Sequence, residues 1–106
     1  MSEATVRREG ATLYLSGTIN SDTGAGLYQR LVAEVAALNG PGASGEPLTL
    51  DCSALINSDS TAVAVLVGAC RAVDGRQAGI RITGLNGQLL SLTRLYGVDE
   101  MLGLQA

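Results

Sequence analysis

The stretch LTLDCSALINSDSTAVAVLVGAC, residues 48–70, decides how this chain is read. It begins as an apolar strand, runs into an acid at Asp51, and continues through Cys52 and Ser53. A second acid, Asp59, then opens Asp59-Ser60-Thr61, three oxygen-bearing side chains ahead of an apolar run. Val63, Leu66, Val67, Cys70 and Val73 recur at i, i+3, i+4, i+7 and i+10, the spacing of a helix with one face on a core. Asp59 or Ser58 stands where it caps that helix, a contribution of about 1 kcal/mol. An acid there also suits the positive end of the helix dipole. Capping accounts for Asp59 but not for Ser60. Its hydroxyl falls in the first turn, outside the sheet, where a kinase or a partner protein reaches it.

On the N-terminal side, TVRREG and ATLYLSGTI predict two strands around a turn at Glu9-Gly10. Leu13, Leu15 and Ile19 alternate there with Thr12, Tyr14 and Ser16. The period then changes. In NSDTGAGLYQRLVAEVAAL, Ser21 or Asp22 offers an N-cap, and Leu27, Leu31, Val35 and Leu38 follow at helical spacing until Asn39-Gly40-Pro41. On the C-terminal side, GIRITGL predicts a strand with Ile80 and Ile82 facing one way and Arg81 and Thr83 the other. Asn86 or Gly87 starts a third helix with Leu89, Leu92, Leu95 and Tyr96 along one side, closed by Gly97. A short terminal turn or helix in VDEMLGLQA follows.

The order β-β-α-β-α-β-α predicts an α/β fold, with a small mixed sheet and helices packed mainly on one face. The one linker-like piece, residues 41–47, is too short to divide the chain, so residues 1–106 are expected to form a single domain.

Composition narrows the function. With 46% hydrophobic and 16% charged residues, the 106-residue chain is expected to fold around a real core. Its seven basic residues are all arginine and are scattered, the net charge is −3, and there are three aromatics. Nucleic-acid binding is therefore not expected: the sequence offers neither a basic stripe nor a stacking platform. Histidine is absent, which removes the usual general base, the commonest metal ligand and the usual activator of a nucleophile. No catalytic residue, metal site or cofactor is expected. Cys52 and Cys70 read as small buried hydrophobes. The apolar run 62–70 is too short to span a bilayer, and the first residues lack the pattern of a signal peptide. A cytoplasmic protein is expected, reaching a membrane only through a partner.

These residues resemble the STAS domain, the anti-sigma-factor-antagonist fold. The resemblance rests on Leu50-Asp51-Cys52-Ser53, then Asp59-Ser60-Thr61-Ala62-Val63 with Leu66 and Val67 in aliphatic slots, and on GIRITGLNGQLLSLTRLYGVDEML. It covers essentially the whole chain. Two departures stand out: Ala62-Val63 replaces the Gly-Leu often found after the hydroxyl, and Ser60 fills a slot often held by Thr in the lipid-transport branch.

The segment from Leu89 to Val98 looks most like the small STAS subunit of the Mla phospholipid-transport system. That likeness implies a non-catalytic cytosolic subunit that binds the ATPase of a bacterial ABC complex and sits with it at the inner face of the inner membrane. The alternative implied is an anti-sigma-factor antagonist, paired with an anti-sigma factor or serine kinase and switched by phosphorylation of Ser60. In both readings Ser60 is the phosphorylated or partner-contacting hydroxyl, with Asp59, Asp51 and Thr61 supporting it. The expected interface comprises Ser58, Ala62, Val63, Ala64, Leu95 and Tyr96.

Overall fold

The computed structural model describes residues 3–38, 48–72, 80–98 and 102. Seven elements run in the expected order: β1 Ala4–Glu9, β2 Thr12–Gly17, α1 Gly24–Leu38, β3 Leu48–Leu55, α2 Ser60–Ala72, β4 Ile80–Thr83 and α3 Gly87–Leu95. The four strands form one sheet in the order β1-β2-β3-β4. β1 pairs antiparallel with β2, whereas β2–β3 and β3–β4 are parallel.

Alternation along the strands separates two faces. Ala4, Leu13, Leu15, Leu48, Leu50, Cys52 and Ile82 are buried on the helix side. Thr5, Arg7, Arg81 and Thr83, on the other side, are exposed. That open face is polar: Arg7 lies over the Tyr14 ring, 4.9 Å from its centroid, and Thr5 and Ser16 share a hydroxyl hydrogen bond of 2.6 Å. The shortest molecular dimension, 18 Å, fits one sheet and one helix layer.

α1 buries Leu27, Leu31 and Val35, as its period predicts, while the Leu38 side chain lies outside the described residues. Arg8 joins this helix to β1 by pairing with Glu34 at 3.3 Å. Neither Ser21 nor Asp22 caps α1. Asn20 does the work instead, its Oδ1 accepting the Asp22 and Thr23 N–H groups while its carbonyl accepts that of Gly24. An asparagine at the head of a turn readily accepts from the N–H groups two and three residues on.

α2 turns Ala62, Val63, Val65, Leu66 and Ala69 inward, leaving Val67 and Cys70 only partly covered. Val73 and the expected stop at Asp74-Gly75 lie outside the described residues. α3 is capped by Asn86, whose Oδ1 accepts the Leu89 N–H at 2.9 Å. It closes at Gly97 (φ +70°), with the Gly97 N–H on the Arg94 carbonyl and the Val98 N–H on that of Thr93. This is the paired bonding of a Schellman ending. Only Leu89 and Thr93 of α3 are buried. Leu95 and Tyr96, expected along the packed side, stand 75% and 54% exposed. Leu95 lies about 200° around the helix from the buried Thr93, and Tyr96 is the C-cap beyond it, so this part of the stripe is corrected.

Gly17 ends β2 at φ +91°, and a Cβ there would run into the Glu3 carbonyl. Gly10, in the first hairpin, has φ +58° but open space around it. Gly17→Ala is therefore expected to cost more than about 2 kcal/mol, through strain and collision together. Gly10→Ala should cost about 1 kcal/mol through backbone strain alone. Urea unfolding of the two variants against the parent measures both.

Candidate functional site

Because β2, β3 and β4 are parallel, the connections that follow them, to α1, α2 and α3, leave from the same edge of the sheet. Two of these connections are stitched together. The Ile19 N–H donates to Ser58 Oγ at 3.0 Å, the Asp59 N–H to the Ile19 carbonyl at 3.2 Å, and Thr18 Oγ1 to the Ile56 carbonyl at 2.9 Å. The Ile56 N–H reaches the Gly17 carbonyl at 2.9 Å. Between them Asn57 takes a positive φ of 49°, a conformation that asparagine tolerates better than most residues.

α2 starts from this fixed turn. Asp59 Oδ1 accepts the Thr61 N–H at 2.8 Å, and its carbonyl accepts that of Ala62. Asp59 is thus the cap of α2. Ser60, the first helical residue, is exposed, and among the described residues its hydroxyl has no hydrogen-bond partner. Thr61 is half-buried and Ala64 is exposed one turn further on.

Three expected interface residues lie elsewhere. Ser58 is only 1% exposed, and its hydroxyl bridges the Ile19 N–H and the Ile56 carbonyl. Ala62 and Val63 are buried as well, on the inward side of α2. Ser58 is buried between the exposed pairs Ile56-Asn57 and Asp59-Ser60, and reading the turn as one continuous surface overlooked that a buried hydroxyl was needed to join two loops. Leu95 and Tyr96 are exposed, but at the C-terminal end of α3, whereas Ser60 marks the N-terminal end of α2. Ile56, 58% exposed beside the turn, was not anticipated. Its place just past the last strand residue, Leu55, is the signal that could have found it.

Asp51 does not end its strand. Tyr14 pairs with Asp51 and Ser16 with Ala54, so β3 carries one residue more than β2 over this span, a bulge. Asp51 Oδ1 closes it by accepting from the Ser53 hydroxyl at 2.6 Å and the Ser53 N–H at 2.9 Å. These two bonds hold the Asp51 carboxyl below its ordinary value. Its part is local geometry, away from Ser60. Cys52, inside the bulge, has its thiol pushed up to about 12, first by burial and then by the neighbouring Asp51 charge. Cys70 is raised by partial burial. Neither thiol is activated, and among the described residues no cluster of Cys, Asp and Glu is arranged to hold a metal ion.

The fold is the one expected of a STAS domain. A family model described as "Mlab, STAS domain" matches residues 4–104, and the chain belongs to that family. Sixteen chains of solved structures match it. One is a crystal structure of an anti-sigma factor antagonist from Mycobacterium paratuberculosis, 22% identical, with a TM-score of 0.75, covering 98% of this chain and 85% of that one. At that identity the likeness speaks for the fold. No curated protein matches the chain.

Ser58→Ala strips a buried donor and acceptor of their partner and is expected to cost about 1–3 kcal/mol, whereas Ser60→Ala should stay within about 0.5 kcal/mol of the parent. Chemical denaturation separates the two. Asp51 gives a pH dependence. Its depressed carboxyl contributes stability that is present above the ordinary value of 3.8 and lost as pH falls through the lower folded value. Acid unfolding of Asp51→Asn, followed by circular dichroism, should be correspondingly less steep.

Proposed function

We propose that this chain is a protein-binding STAS module of the anti-sigma-factor-antagonist type, whose docking is switched by phosphorylation of Ser60. The observation that carries this reading is the exposed, unpartnered Ser60 hydroxyl at the first position of α2, on a turn tied down from beneath by Ser58. A kinase needs a hydroxyl it can reach, and a docking partner needs a surface that does not have to be ordered on binding. Ser60 meets both conditions.

Phosphate on Ser60 would add about −1.5 to −2 charges at the turn. The dipole of α2 favours that charge, but the Asp59 carboxylate beside it opposes it. The net effect falls on whatever partner surface lies against the turn: a neutral hydrogen-bonding contact becomes a bulky dianion. Partners would be an anti-sigma factor and a serine kinase. The fold-level likeness to an anti-sigma factor antagonist supports this reading, and so does the serine, rather than threonine, after Asp59.

A second reading is favoured by the family description, which names Mlab, and by the exposed Leu95–Tyr96 pair. There the chain is a non-catalytic subunit docking on the cytosolic ATPase of a phospholipid-transport ABC complex, and it meets the inner membrane only through that complex. Leu95 and Tyr96 would supply an apolar contact of the kind that anchors interfaces.

Pull-downs with parent, Ser60→Ala and Ser60→Asp chains, combined with mass spectrometry of Ser60 after incubation with the captured kinase, separate the readings. The proposal expects a serine kinase or its anti-sigma partner on the parent and Ser60→Ala chains, loss of capture with Ser60→Asp, and one phosphate on Ser60. Capture of an ATPase with its permease, with Ser60 left unmodified, would favour the second reading instead. Absence of any phosphate at Ser60 with the captured kinase would sink the first.

A further inference from the structure

The solvent face of α2 is a narrow stripe with a hydroxyl at one end and a guanidinium at the other. Ser60, Ala64 and Arg71 are exposed and Val67 is half-exposed, while Ala62, Val63, Val65, Leu66 and Ala69 face inward. The outward residues fall at i, i+4, i+7 and i+11, one straight stripe along a helix. Its ends carry opposite chemistry, a free hydroxyl at Ser60 and a guanidinium at Arg71, with two small apolar residues between them. From Ser60 to Arg71 the stripe is about 16 Å long at the rise of an α-helix. Beside it, between α1 and α2, runs an open apolar groove of about 540 Å³ walled by Tyr28 and floored by Gly68, with Arg71 the only charged residue lining it among the described residues. The Tyr28 ring lies so close over Gly68 that any Cβ there would displace it. Gly68 therefore lets the Tyr28 ring rest directly on the backbone of α2.

Two copies of α2 packed antiparallel about a two-fold axis would set Ser60 of one against Arg71 of the other, and Ala64 against Val67, in both directions at once. An isologous interface requires that reciprocity. Among the described residues the ion pairs are Arg7–Glu9 and Arg8–Glu34, so Arg71 faces no carboxylate there. In the unmodified chain the stripe offers only small apolar side chains and a neutral hydroxyl, too little contact for a stable dimer. A phosphate on Ser60 changes this, because a guanidinium grips phosphate through two parallel hydrogen bonds. We propose that phosphorylation of Ser60 drives the chain to pair with a second copy of itself through α2, with each phosphate held by Arg71 of the other copy. The pairing covers the Ser60 turn, so the modified chain is withdrawn from its partner by occlusion as well as by charge. This rests on the Ser60 switch proposed above and adds the ligand of the phosphate.

Phosphoserine placed at position 60 by genetic encoding removes the need for any kinase, which separates this test from that of the switch itself. Sedimentation velocity over a concentration series should show the unmodified chain as a monomer and the phosphorylated chain as a dimer. Two symmetric phosphate–guanidinium pairs should tighten self-association at least roughly a hundredfold. Arg71→Glu in the phosphorylated chain should return it to monomer. Arg71 is exposed at the end of its helix, so this variant is expected to fold, as circular dichroism would verify. A phosphorylated chain that stays monomeric overturns the inference, whether or not it binds another protein. So does a phosphorylated dimer that survives Arg71→Glu, since it would use another surface.

Discussion

One buried hydroxyl holds together the two connections from which α1 and α2 start. Ser58 accepts the Ile19 N–H and donates to the Ile56 carbonyl, so that the connection leaving β2 and the connection leaving β3 become one unit. Without it a backbone N–H would be buried unpaired at the point where two loops cross, at a cost larger than most single contacts contribute. The Asp59 N–H, bonded to the Ile19 carbonyl, extends the same unit to the first turn of α2. Ser60 therefore stands on a turn that the chain builds by its own contacts, as the proposed docking requires.

The sheet explains why the scaffold lies where it does. Parallel pairing of β2, β3 and β4 sends their following connections out at one edge. The strand order β1-β2-β3-β4 never reverses along the sheet. It therefore forms no switch point of the kind where open α/β sheets open a crevice for nucleotides. What the edge offers instead is a turn with an acid, a hydroxyl and a helix start. Helices cover one face of the sheet, and the polar opposite face is occupied by its own cross-strand contacts, such as Arg7 on Tyr14.

Most of the architecture was legible in the sequence because period and caps agree there. The alternation of Leu13 and Leu15, the spacing of Leu27, Leu31 and Val35, and the Asn86 and Gly97 boundaries of α3 each have a local physical cause, and each element forms where that cause predicts it. The site was legible less evenly. Asp59 caps as a local signal should. Ser58, two residues from Ser60, has the same composition of atoms but the opposite environment, and only the long-range contact with Ile19 distinguishes them. The Asp51 bulge likewise depends on register with β2, which no single strand reveals. Leu95 is apolar like Leu89 and Leu92, yet it lies about 200° around α3 from the buried Thr93 and faces solvent.

The central claim is that the Ser60 turn is prebuilt, and amide hydrogen exchange of the isolated chain tests it most directly. The account predicts that the Ile19 and Asp59 amides, bonded across the two connections, exchange as slowly as core strand amides such as Leu50. It also predicts that both amides quicken markedly in Ser58→Ala while the core stays protected. Fast exchange at Ile19 and Asp59 in the parent chain, like that of an unrestrained loop, would contradict the account, because the turn would then have to be ordered by its partner.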